Sequence, residues 1–128
     1  MSSEALTHNI RVQVETEPDP DRTFPDLGHW FYRYTVTITN EGSETVTLRD
    51  RHWIITDGKG NVEEVRGPGV VGYQPTLEPG QSFQYTSACP LPTPVGTMHG
   101  TYRMVTGEGE SFEAEIAPFH LAQPELIN

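Results

Sequence analysis

The sequence predicts an all-β fold: an antiparallel β-sandwich of immunoglobulin or fibronectin type III kind, with about seven to eight short strands. Three observations predict it. Apolar residues recur at every second position in segment after segment, the period of a strand with one buried face. Turn residues break these segments about every 8–12 positions. No stretch carries the period of an amphipathic helix, and 12 glycines and 11 prolines punctuate the chain. The 128 residues make one domain, 1–128. A chain of that size buries roughly two-thirds of the surface it exposes when unfolded.

The elements follow in order. Ile10, Val12 and Val14 alternate with Arg11, Gln13 and Glu15. Glu17-Pro18-Asp19-Pro20-Asp21 is an acidic, proline-broken loop that Phe24-Pro25-Asp26-Leu27-Gly28 continues. The strongest strand signal comes next: Trp30, Tyr32, Tyr34, Val36 and Ile38 share one face, and Phe31, Arg33, Thr35, Thr37 and Thr39 share the other. On this pattern Phe31 points outward as a contact residue. Asn40-Glu41-Gly42-Ser43 is a turn. Val46 and Leu48 resume the alternation, and Trp53-Ile54-Ile55 carries it to Asp57-Gly58-Lys59-Gly60-Asn61, a hairpin signal with Val62 and Val65 on the return strand. Leu77-Glu78-Pro79-Gly80 turns into a strand with Phe83 and Tyr85, and the stretch 90–96 is a rigid crossing. Met98, Gly100, Tyr102 and Met104 alternate, Gly107-Glu108-Gly109-Glu110 turns, and Phe112, Ala114 and Ile116 finish the sheet. Pro118 is expected to end that strand, with Phe119, Leu121 and Ile127 in the tail. The expected core includes Trp30, Tyr34, Val36, Ile38, Trp53, Phe83, Tyr102 and Met104.

Charge and composition exclude more than they assign. With 18 Asp and Glu against 8 Lys and Arg, the net charge is −10, which repels phosphate backbones and argues against a nucleic-acid partner. No segment approaches the ~20 apolar residues that span a bilayer, and Met1-Ser2-Ser3-Glu4-Ala5-Leu6 has no leader pattern. A lone cysteine, Cys89, fits a reducing, cytoplasmic setting.

Gly67-Pro68-Gly69-Val70-Val71-Gly72 spells the G-x-G-x-x-G of dinucleotide loops. That motif works when a helix leaves the glycines and aims its N–H groups at a pyrophosphate. Here Pro75, Pro79 and Gly80 follow, so no helix can form. Backbone amides can still form an anion nest without a helix, with Arg66 supplying charge. Arg66, Gly67, Gly69 and Gly72 are therefore the candidate phosphate-binding residues, against the structural alternative of glycines that permit a bulge or tight crossing.

No catalytic set stands out. The histidines His8, His29, His52, His99 and His120 lack the spacing of a zinc site, and acidic loops offer hard cations weak binding at best. Cys89 has no basic neighbour in sequence to activate it and reads as a small core hydrophobe. No metal site, cofactor or catalytic residue is expected.

Several blocks resemble the ApaG family. They are Arg51-His52-Trp53-Ile54-Ile55-Thr56-Asp57-Gly58, the glycine segment through Tyr73-Gln74-Pro75, and Leu77-Glu78-Pro79-Gly80. Phe83-Gln84-Tyr85-Thr86-Ser87, the run from Leu91 to Tyr102, and the ending from Ile116 to Asn128 continue the match. Ala88 departs from it, standing where the family is expected to have glycine. Leu77-x-Pro79-Gly80-x-x-Phe83 also resembles the corner motif of fibronectin-type domains, with phenylalanine in place of the tyrosine. The resemblance implies a fibronectin-type sandwich and a link to cobalt and magnesium sensitivity. It also implies company with genes for diadenosine tetraphosphate hydrolysis and rRNA methylation. Similar domains end certain eukaryotic F-box proteins and a DNA-polymerase-associated protein, where they look like interaction modules. It implies no catalytic residues. The expected function is a non-enzymatic module binding a protein partner, with a pyrophosphate or nucleotide-polyphosphate binder at 67–72 as the alternative.

Overall fold

The structure, a computed structural model, describes residues 1–123; Ile127 and the end of the last matching block lie outside them. Nine strands form among the described residues: β1 Ser2–Thr7, β2 Ile10–Pro18, β3 Trp30–Asn40, β4 Val46–Asp57, β5 Val62–Pro68, β6 Thr76–Leu77, β7 Ser82–Leu91, β8 Val95–Thr106 and β9 Ser111–Ala122. Single 3-10 turns at Pro20–Arg22 and Pro25–Leu27 are the only helical elements among the described residues. One sheet runs β1-β2-β3-β7 and the other β5-β4-β8-β9, with the two-residue β6 pairing beside β4. Every pairing is antiparallel. The fold is the sandwich that the alternation predicts.

The strands beyond the expected seven or eight are β1 and β6. β1 has no apolar run to announce it, being half-exposed at best along its length. It forms because β2 offers it a sheet edge from Ser2 opposite Glu15 to Thr7 opposite Ile10. His8 and Asn9 close that hairpin with φ of 45° and 65°, the left-handed pair a tight two-residue turn requires.

The expectation that Pro118 ends the last strand fails. β9 continues to Ala122, and Phe119 and Leu121 are core residues. The register against β8 steps from Met98 opposite Phe119 to Gly100 opposite Ile116, so Ala117 and Pro118 together oppose His99. A bulge leaves one residue out of the ladder, and proline is tolerated there because no N–H is required of it. Ala88 also causes no strain. It pairs with Arg33 inside β7, and its φ is not positive.

The expected core residues sit where the pattern places them. Tyr34, Val36, Ile38, Trp53, Tyr102 and Met104 are buried, and Trp30 and Phe83 pack half-buried against them. Phe31 faces outward as expected but is half-covered, with the Arg22 guanidinium 5.4 Å over its ring. Trp53 is the hub of the aromatic core. Its ring meets Tyr34 at 5.3 Å, Phe119 at 5.9 Å and Tyr102 at 6.3 Å, all edge-on. The face assignment of β3 makes a sharp prediction. Ile38→Ala should cost about 2–4 kcal/mol in urea unfolding, and Thr37→Ala, one position away on the outer face, under about 1 kcal/mol. Equal costs would mean the face assignment is wrong.

The two sides of the sandwich differ. On one side β1 and β2 pack along β9, and the Glu115 N–H donates to Thr7 Oγ1 at 3.1 Å across the gap. On the other side β5 and β7 are the terminal strands of their sheets. That open side carries the glycine segment.

Candidate functional site

A bulge in β4 sets the chemistry of this side. Leu48 pairs with Met104 and Asp50 with Arg103, leaving Arg49 as the extra residue. One extra residue reverses which face each later side chain occupies. Before it Val46 and Leu48 face the core; after it Trp53 does, and Arg51 shares that face. A cation is thereby turned toward the gap between the sheets.

The glycine segment is a hairpin tip. Gly67 and Pro68 finish β5. Gly69 is buried at φ +60°, and its N–H donates to Arg49 O at 2.8 Å. A Cβ on Gly69 would lie 2.2 Å from Tyr73 O. Val70 and Tyr73 exchange two N–H···O bonds of 2.8 Å around Val71 at φ 43° and Gly72 at φ 86°, a two-residue turn with both central residues left-handed. The chain reverses where a dinucleotide loop would start its helix. The amides of Gly69, Val70 and Tyr73 all donate to backbone carbonyls.

Charge enters this loop through its carbonyls. Arg51 Nη1 donates to Pro68 O and Gly69 O, each at 3.0 Å. Its guanidinium lies 3.0–3.1 Å from the point a Cβ on Gly67 would occupy, so the missing side chain of Gly67 is the space Arg51 fills.

The four candidate phosphate residues divide. Arg66 and Gly67 line a surface cleft of about 400 Å³ on the outer face of the β5-β4-β8-β9 sheet, with Asp50, His52, Thr101 and Arg103 among its walls. Gly69 and Gly72 do not line it: Gly69 is buried beneath the turn and Gly72 is at the exposed tip. The cleft's charges are mixed. Arg51, Arg66 and Arg103 line it together with Asp50 and Glu113. Arg103 pairs with Asp50, and Arg66 Nη2 is 3.8 Å from Glu64 Oε1. His52 Nε2 is 2.8 Å from the same Glu64 oxygen. An anion entering here competes with carboxylates already in place.

Cys89 is 4% exposed, and burial, reinforced by the negative charge of Glu63, pushes its thiol up to about 11. It is a protonated core side chain at neutral pH, as its sequence context suggests. Burial likewise raises the phenols of Tyr34, Tyr85 and Tyr102, with the Arg51 charge opposing the rise in each. Among the described residues no three His, Cys, Asp or Glu side chains converge to hold a metal ion. No helix among them is long and apolar enough to cross a membrane.

Sequence reasoning missed Arg51 as a site residue. Its signal was present: the apolar parity of β4 switches from Val46 and Leu48 to Trp53 and Ile55, which requires an inserted residue between them.

Known proteins with the same sequence pattern place this arrangement in a family. The family model described as the ApaG domain matches residues 20–106. Protein ApaG of Methylobacterium sp. (strain 4-46) is 55% identical over 122 residues, 95% of this chain and 94% of that protein. Protein ApaG of Rhodopseudomonas palustris (strain TIE-1) is 53% identical over 121 residues, 94% of this chain and 93% of that protein. The crystal structure of an ApaA protein from Bordetella pertussis superposes with a TM-score of 0.88 at 52% identity, covering 90% of this chain and 94% of that one. With a family model over most of its length and relatives this similar along nearly all of it, the chain belongs to the ApaG family.

Proposed function

We propose that the chain is a non-enzymatic, cytoplasmic binding module that engages a protein partner through the tip of the glycine hairpin. Val71 carries the proposal. A β-branched residue at φ 43° is a backbone outlier, and its side chain is 50% exposed rather than packed. Strain of that kind persists where the surroundings enforce it, and it concentrates at functional positions. Tyr73, two residues on, is 63% exposed and its ring lies 6.1 Å from Phe83. Beside them a groove of about 390 Å³ includes Pro75 and Leu77 in its walls. Exposed aromatic and aliphatic side chains on a rigid turn are the usual anchors of a protein interface.

The test uses a photo-crosslinking amino acid at position 73 in the full chain, with Val71→Gly as the partner variant. Val71→Gly should hold stability within about 0.5 kcal/mol, because relief of left-handed strain offsets the extra freedom glycine brings to the unfolded chain. The same change should lower the yield of a defined cross-linked protein several-fold. Equal cross-linking with and without Val71 would sink the proposal.

A second reading takes a phosphate-bearing small molecule at the outer cleft beside Arg66 and Gly67. Its support is Arg66, whose side chain is 73% exposed with only a 3.8 Å contact to Glu64, so it is free to turn toward an anion. Isothermal titration with pyrophosphate and a dinucleotide polyphosphate decides it: micromolar heat lost in Arg66→Ala would place this reading first. The cobalt and magnesium link implied by the family we read as indirect, acting through the partner.

A further inference from the structure

A different cleft, of about 290 Å³, opens between the terminal strands β5 and β7 on the open side of the sandwich. Its walls include Tyr34, Trp53, Ile55, Val65 and Met98 from the core's own cluster, with the exposed Glu63 and with Ser87 adding polar groups. Two polar groups there, one buried and one half-buried, are short of partners. Trp53 is 2% exposed, and its indole Nε1–H has no acceptor among the described residues. A buried donor left unpaired is costly, and native structures seldom keep one without a water or ligand to receive it. Arg51 also lines the cleft. It makes two bonds to backbone carbonyls, yet no carboxylate lies within 4.0 Å of it among the described residues, in a chain with 18 acidic side chains. Surface arginines of this chain such as Arg11 and Arg103 are paired. Among the described residues Arg49, at the bulge, and Arg51, turned inward, are the two arginines without a counter-ion, and only Arg51 lines the cleft.

We propose that this inter-sheet cleft binds a small aromatic monocarboxylate, with its ring against Trp53, Val65 and Met98, its carboxylate paired with Arg51, and an acceptor supplied to the Trp53 indole N–H. The lining selects the class. The Glu63 carboxylate in the lining and the single guanidinium disfavour a polyphosphate, which carries several charges and needs many donors. One guanidinium and one N–H match the acceptor count of a single carboxylate. The volume is at the small end of ligand pockets, enough for a ring and a short acid but not for a nucleotide. The β4 bulge puts Arg51 there, and Gly67 gives its guanidinium room. The site is separate from the Val71 tip, and either can fail without the other.

The two tryptophans make the experiment direct, because only Trp30 and Trp53 give indole N–H signals. Trp30→Phe assigns them. Benzoate and 3-phenylpropionate are titrated into the 15N-labelled full chain, with benzamide and inorganic phosphate as comparisons. The Trp53 indole signal should shift saturably for the carboxylates, with Kd of about 1 mM or tighter. Benzamide should bind at least roughly tenfold more weakly, and Arg51→Met should weaken the carboxylates by a similar factor. Val65→Phe fills the cleft while keeping Arg51 itself, and it should abolish the shift even if Arg51→Met disturbs the loop. Thr37→Ala, on the outer face of the other sheet, should leave the carboxylate-induced Trp53 shift unchanged. The proposal is overturned by no Trp53 shift at all, by equal shifts for acid and amide, or by tighter binding of phosphate. Persistence of the shift in Val65→Phe also overturns it.

Discussion

Gly100→Ala should lower the unfolding free energy by roughly 3 kcal/mol or more, the upper end of what overpacking costs. Gly100 sits mid-strand in β8, between Trp53 of β4 and Ile116 of β9. Its φ is not left-handed, so conformational preference is not the issue. Space is. A Cβ there would lie 1.9 Å from His52 O and 3.2 Å from Trp53 Cα, both backbone atoms of the neighbouring strand. Backbone inside a ladder cannot rotate away as a side chain can. Relief requires parting β4 from β8 under the Trp53 hub. Gly107→Ala is the control, because that position has open space and no positive φ. It should stay within about 0.5 kcal/mol of the parent. Urea melts that show the two variants equally stable would mean β4 and β8 do not approach this closely.

The fold was legible because most strands here have one wet face. In β3 each apolar residue from Tyr32 to Ile38 alternates with a polar or exposed one, and the pairing with β2 and β7 on both sides fixes that register. The strands missed were those whose formation is decided elsewhere. Nothing in Ser2–Thr7 demands a strand; the edge of β2 supplies it. Pro118 argued for a strand end because proline cannot join a ladder, but the bulge opposite His99 removes that demand. A local rule was overridden by register.

The site was legible only in part, for a related reason. The absence of a helix after 67–72 could be read from Pro75 and Pro79, and with it the loss of a helix dipole. Where the loop's amides and carbonyls go could not be read, because those partners, Arg49 and Arg51, are set by the β4 bulge. Trp53 was legible as core by its apolar neighbours. That its N–H lacks an acceptor among the described residues depends on the whole inter-sheet packing, which no local pattern carries.

Gly69→Ala should cost about 3 kcal/mol, and Gly72→Ala clearly less, about 1–2 kcal/mol. Both glycines are left-handed, at φ +60° and +86°, so alanine pays a conformational penalty at each. Only Gly69 adds a collision, with Tyr73 O at 2.2 Å, the same carbonyl that accepts the Val70 N–H. Gly72 has open space. The difference between the two variants in thermal or urea unfolding therefore isolates the collision from the shared φ penalty. It also bears on what the G-x-G-x-x-G spelling is for. Each of its glycines already has a structural requirement: Gly67 the Arg51 guanidinium, Gly69 the Tyr73 carbonyl, Gly72 the turn. If Gly69→Ala and Gly72→Ala destabilise alike, the Tyr73 carbonyl does not constrain position 69, and the spacing needs another explanation. A larger loss at Gly69 ties the motif to the hairpin that holds Val71 and Tyr73 in place.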